Sequence, residues 1–158
     1  MAKAKRGRPR KQPPPEAYYV IEITSWEWRY WINGARHSFD MTAVVENRDI
    51  IIHGIVRGPK LGKVTKAEVH LEPGWKLEEV KQPRDGEEIL IGSIWMTTGV
   101  FQAMQRITNE AAASILQMLI ADKIRFACVT TTPLHYRTGE MRRLTLQMEL
   151  GEDEDVEP

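Results

Sequence analysis

The chain of 158 residues has one cysteine, three phenylalanines, no long apolar run and no formal net charge. Each shortage excludes something. A single Cys128 cannot pair within the chain, so a disulfide framework is ruled out and no oxidising compartment is implied. A membrane-spanning helix needs about 18 consecutive apolar residues, and the longest candidates, around Ile89 to Met96 and Ile115 to Ala121, fall far short. The basic start runs into Pro13-Pro14-Pro15 where a secretory signal has its apolar stretch. These absences predict a soluble intracellular protein with no membrane partner, cytoplasmic or nucleoid-associated in a bacterium and nuclear in a eukaryote.

The signatures of catalysis and metal binding are missing as well. His37, His53, His70 and His135 are scattered singly, without the short spacing of a zinc site. There is no serine in a glycine-flanked elbow, no glycine-rich phosphate loop and no His-Glu pair at helical spacing. The expectation is a protein that is not an enzyme and carries neither metal nor cofactor. The paired acids Glu78-Glu79 and Glu87-Glu88 read as solvated surface. Gly58-Pro59-Lys60-Leu61-Gly62-Lys63 lacks the length and ending of a P-loop, and reads as a hairpin connection and candidate secondary phosphate contact.

What is present is an uneven distribution of charge hidden by the zero. Residues 1–15 hold Lys3, Lys5, Arg6, Arg8, Arg10 and Lys11 with no acid, and residues 151–158 hold Glu152, Asp153, Glu154, Asp155 and Glu157 with no base. Such asymmetry points to interactions made by the tails. Both ends lack apolar residues to bury, so disorder is predicted for 1–15 and 151–158, with one β-rich domain over 16–150.

Within that domain the apolar positions alternate at Tyr19, Ile21 and Ile23, then on the opposite parity at Trp26, Trp28, Tyr30 and Ile32. A change of phase in a period of two predicts a β-bulge near Thr24 and Ser25. Asn33-Gly34 predicts a tight hairpin turn, with a return strand through Phe39 to Glu46. Further strands are expected at Ile50 to Val56, Val64 to Leu71, Glu88 to Met96 and Val100 to Ile107. A closing hairpin is expected over Ile124 to Thr132 and Arg142 to Leu150. Thr108 or Asn109 caps one amphipathic helix that reaches about Asp122. Eight or nine antiparallel strands and one helix fit a β-sandwich or a partly open barrel.

Seven of the twelve aromatic residues fall between Tyr18 and Phe39. Trp26, Trp28 and Tyr30 on one strand face could stack unpaired bases, but core packing is the expected use.

Lys5-Arg6-Gly7-Arg8-Pro9-Arg10-Lys11 is the stretch that carries chemistry. A narrow A·T-rich minor groove has enhanced negative potential that attracts inserted arginine. Gly7, without a Cβ, suits the groove floor, Pro9 keeps the segment extended, and Lys5, Arg10 and Lys11 are placed to neutralise phosphates. Minor-groove readout distinguishes A·T from G·C and little more, so A·T-rich double-stranded DNA is the expected partner.

Arg6-Gly7-Arg8-Pro9 with its basic neighbours resembles the AT-hook of the high-mobility-group A chromatin proteins. The resemblance covers about seven residues, and all four core positions agree. It implies that Arg6 and Arg8 enter the groove, Gly7 sits at its floor, Pro9 steers the chain out, and Arg10 and Lys11 follow the phosphates. Those proteins usually carry several hooks and one is found here, so a second contact with DNA, a protein partner or self-association is expected beside it. By pattern alone, residues 17–150 loosely resemble small bacterial proteins that combine several strands with one helix, a likeness that implies no activity.

Overall fold

Alternating apolar residues and one change of phase make the first strand unusually long. In the computed structural model, which describes residues 16–34 and 44–151, β1 runs over Ala17–Gly34 and pairs antiparallel with β2, Val44–Gly58. The register slips between Ile23 and Ser25, leaving Thr24 as the bulged residue. Ile23 and Trp26 therefore both lie against the core. Across the bulge, Gly54 lets the strands close up, since a Cβ there would stand 2.5 Å from the Glu22 carbonyl oxygen.

The remaining elements are β3 (Lys66–Pro73), a 3₁₀ turn at Leu77–Glu79, β4 (Gly92–Thr97), β5 (Val100–Ile107), α1 (Asn109–Ile120), β6 (Phe126–Thr131) and β7 (Thr138–Gln147). The strands are ordered β1-β2-β3-β5-β4-β7-β6, and β6 pairs back onto β1, so seven strands close a ring. The described residues are thus mainly β with a single α-helix, as expected. Three details differ from the expectation. The strands number seven among the described residues, where eight or nine were expected. The ring is closed, and one of its pairs, β3 with β5, is parallel. The chain reaches that parallel register by first making β4, which pairs antiparallel with β5 from the other side.

The predicted tight turn at Asn33-Gly34 is not what forms. Pairing continues to Gly34 opposite Val44, and Asn47-Arg48-Asp49 lies inside β2. Positive φ is permitted at Asn-Gly, but a twisted two-stranded ribbon does not require it. The predicted return strand from Phe39 lies in part outside the described residues.

The ring is filled. Ile21, Ile50, Ile52, Val69, Leu71, Phe101, Ala103, Ala127, Val129 and Met141 are buried inside it, and the Tyr19 ring meets that of Phe101 at 5.0 Å. α1 begins where predicted, with the Thr108 hydroxyl accepting from the Ala111 amide at 3.1 Å. It joins the end of β5 to the start of β6, and it adds Ala112 and Leu119 to the core from that side.

Candidate nucleic-acid interface

The hook residues Lys5, Arg6, Gly7, Arg8, Pro9, Arg10 and Lys11 lie outside the described residues. Their point of attachment does not. Glu16 holds Arg142 at 3.7 Å, and Ala17 pairs with Thr131 at the last rung of β6. The arm therefore leaves the ring at the end where β2 passes to β3, β4 turns into β5 and β6 turns into β7.

Those three connections, within 58–66, 97–100 and 132–139, carry Lys60, Lys63, Lys66 and Arg137 and no acidic residue. All four cations are exposed, and none enters an ion pair among the described residues. Four arginines elsewhere are paired, Arg29 with Glu27, Arg48 with Glu46, Arg57 with Glu22 and Arg142 with Glu88, while Arg84, Arg106, Arg125 and Arg143 form no ion pair among the described residues. The connections are bound to one another, with Lys66 N donating to Gly99 O at 3.4 Å and Met96 N to Arg137 O at 2.9 Å. Between them lies an open cleft of about 480 Å³ that Lys63, Thr97, Thr98 and Arg137 line on the polar side and Leu61, Val64 and Met96 on the apolar side.

The β6–β7 connection ends in a tight turn. His135 N donates to Thr138 O at 2.8 Å and Thr138 N to His135 O at 3.0 Å, leaving Tyr136 and Arg137 as the two central residues. Both have positive φ, 49° and 66°. Asn-Gly is the favoured pair for such a turn, because a side chain at positive φ is strained. Tyr136 is 89% exposed and its ring meets His135 edge-on at 4.2 Å. Burial does not explain a tyrosine and an arginine at this tip.

The other end of the ring has the opposite character. The β3–β4 connection, residues 74–91, carries five acids, Glu78, Glu79, Asp85, Glu87 and Glu88, against Lys76, Lys81 and Arg84. From this end β1 and β2 project as a two-stranded ribbon, since β6 reaches only Glu22 on β1 and β3 reaches only Ile50 on β2. The expectation that the aromatic residues pack in the core holds for Trp26 alone among those of the ribbon. Trp28 is 52% exposed and Tyr30 48%, their rings stacked at 6.1 Å, with Ile32 and Val44 further out on the same face. Alternation could not reveal this, because the same period of two continues where the strand leaves the ring.

A chain of polar groups crosses the outer surface of β1, β2, β3 and β5. His53 Nε2 lies 3.0 Å from Glu27 Oε1, and Gln102 donates to Glu68 at 3.1 Å. Glu68 also lies 3.5 Å from His70. The hydrogen bonds from His53 and then Arg29 hold the Glu27 carboxyl below its ordinary range, and those from Gln102 and His70 do the same for Glu68. The carboxylates are thereby satisfied by protein donors.

A second cleft, of about 520 Å³, lies where β2 leaves the ring, and it mixes Glu46, Asp49 and Glu72 with Arg48 and Arg106. Its charges are of both signs, which suits neither an anion nor a cation. Sequence reasoning singled out Lys60 and Lys63 but missed Lys66 and Arg137, which are remote in the chain and are brought to the same end of the ring only through the β3–β5, β4–β5 and β4–β7 pairings. Compared with protein-family models, curated proteins and solved structures, the chain matches none.

Proposed function

We propose that this is a non-enzymatic DNA-associated protein whose N-terminal arm binds the minor groove of A·T-rich duplex DNA while the β-ring supplies a second contact. One observation carries the reading: Arg6-Gly7-Arg8-Pro9 stands within a stretch of six cations and no acid. The chemistry of that stretch suits a narrow groove of high negative potential. Support comes from the place where the arm is attached, the one end of the ring whose connecting segments carry basic residues and no acid. A single hook neutralises few phosphates and binds weakly in a salt-sensitive way, so further contacts raise occupancy through effective concentration.

The exposed aromatic face of the ribbon favours a second component, self-association. A dimer formed there carries two hooks, each rooted at the end of its ring away from the ribbon. A second reading, a β-rich protein-interaction or ligand-binding module whose basic arm is incidental, rests on the same ribbon.

The deciding measurement is binding of the full chain and an Arg6→Ala/Arg8→Ala variant to A·T and G·C duplexes of equal length. The full chain is expected to prefer A·T by about tenfold, the worth of one good base contact, and the variant to lose that preference. Equal affinity of the full chain for both duplexes dismisses the hook and leaves the interaction module.

A further inference from the structure

We infer that the cleft between Lys63 and Arg137 is a phosphate site, and that its occupant is the backbone of the duplex whose minor groove the arm enters. The inference rests on the proposed reading of the arm and adds to it a location for the second contact.

The chemistry of the cleft is that of a phosphate cradle. Lys63 and Arg137 supply charge, the Thr97 and Thr98 hydroxyls supply donors, and Gly62 and Gly99 leave the backbone accessible. No carboxylate lines it. Lys60 stands exposed on the β2–β3 connection and Lys66 opens β3, its amide donating to the Gly99 carbonyl beside the cleft.

The rigidity of the site is a second indication. Arg137 is not on a loose loop. Its carbonyl accepts from Met96, and the turn is closed on both sides by His135 and Thr138, with the Thr138 hydroxyl donating to His135 O at 2.9 Å. Two side-chain-bearing residues are kept at positive φ although glycine would relieve the strain. Backbone strain of this kind, of order 1–3 kcal/mol per residue, persists where the side chain has a task. Holding a guanidinium at the rim of an acid-free cleft is such a task.

Reach selects the occupant. From Pro9 to Glu16 there are seven residue steps, which span at most about 25 Å. A hook in the groove therefore places the ring within about seven base pairs, taking the 3.4 Å spacing of phosphates along a strand. Ala17, the root of the arm, pairs with Thr131 at the base of the very hairpin that carries Arg137. The arm delivers this end of the ring to duplex DNA. An anionic membrane, in contrast, calls for apolar side chains beside the cations, and Leu61, Val64 and Met96 are half-buried.

The test is a salt series of the full chain on an A·T-tract duplex, with the wild type, Lys63→Gln/Arg137→Gly and Arg6→Ala/Arg8→Ala compared, and thermal unfolding followed beside it. Losing two phosphate contacts is expected to reduce the slope of log K against log salt by about 1.8 and to leave the A·T preference intact. Since Arg137→Gly relieves strain, the variant should melt no lower than the wild type, which separates lost binding from lost folding. Lys63→Arg should keep the wild-type slope. An unchanged slope and affinity in Lys63→Gln/Arg137→Gly overturns the cleft and leaves the hook standing. An A·T preference that survives Arg6→Ala/Arg8→Ala sinks the hook instead, whatever the cleft does. Binding to phosphatidylserine vesicles as tight as to the duplex, and lost in the cleft variant, overturns the assignment to DNA.

Discussion

Single residues set the pH behaviour of the ring surface. Glu68 is held below its ordinary value of 4.5 by donors from β5 and β3, foremost Gln102 and then His70. A carboxyl that titrates lower in the folded chain than in the unfolded one stabilises the fold fully above the unfolded pKa. The contribution is lost as pH falls through the lowered folded value. Wild-type stability in urea is therefore expected to drop as pH falls below the ordinary 4.5, and Glu68→Gln should remove part of that drop while costing at most about 1 kcal/mol at neutral pH, the usual worth of a partly exposed pair. If the Gln variant loses as much stability on acidification as the wild type, the assignment of this step to Glu68 is wrong. The residue scale is also where the sequence was most legible. A bulge near Thr24 and Ser25 is legible because one residue inverts an alternation, and a cap at Thr108 or Asn109 because a polar side chain stands before an apolar helical pattern; the structure puts the bulge at Thr24 and the cap at Thr108. Tyr136 and Arg137 were not visible: neither residue type favours positive φ, and only the ladder around them imposes it.

At the scale of elements, the ribbon carries the largest apolar exposure. Beyond Ile23 on β1 and below Ile50 on β2 the strands pair only with each other, so both outer edges, residues 24–34 and 44–49, present unpaired backbone groups among the described residues. One face of this unit carries Trp28, Tyr30, Ile32 and Val44. Exposed edges beside apolar side chains are surfaces that natural proteins pair or protect. Two copies of the ribbon can satisfy each other by edge pairing and by burying the indole rings. Sedimentation equilibrium is expected to show a dimer for the wild type and a monomer for Trp28→Ser/Ile32→Ser, with the far-ultraviolet spectrum and the melting temperature nearly unchanged because neither side chain belongs to the core. A wild type that stays monomeric at 100 µM, the dissociation constant of an interface worth about 5.5 kcal/mol, removes self-association through this face. The element pattern explains why the ribbon could not be read in advance. Period-two alternation reports that one face is apolar, and it is silent on whether a third strand covers it. The parallel β3–β5 pair was hidden for a related reason: every local signal between Glu72 and Val100 describes a turn or a strand, and none encodes which neighbour a strand selects.

Across the whole molecule, the zero net charge separates into a basic end and an acidic end. The arm leaves beside Thr131, while β7 ends at Gln147, paired with Phe126 and level with Glu22 through it. Five rungs of β1 separate Ala17 from Glu22, about 17 Å at 3.4 Å per residue. β7 therefore ends about two Debye lengths from the root of the arm at physiological salt, where screening acts over about 8 Å, and the five acids follow Gly151 in the sequence. At 0.01 M salt the screening length grows to about 30 Å and spans that separation. Deleting residues 152–158 should accordingly strengthen DNA binding several-fold at 0.01 M salt and leave it within twofold at 0.15 M. A gain that persists undiminished at 0.15 M means that the acidic end touches the arm and competes with phosphate directly. The same comparison with Lys63→Gln/Arg137→Gly tells which basic element it meets, because a tail seated in the cleft loses its effect when those two charges are gone, and a tail seated on the hook does not.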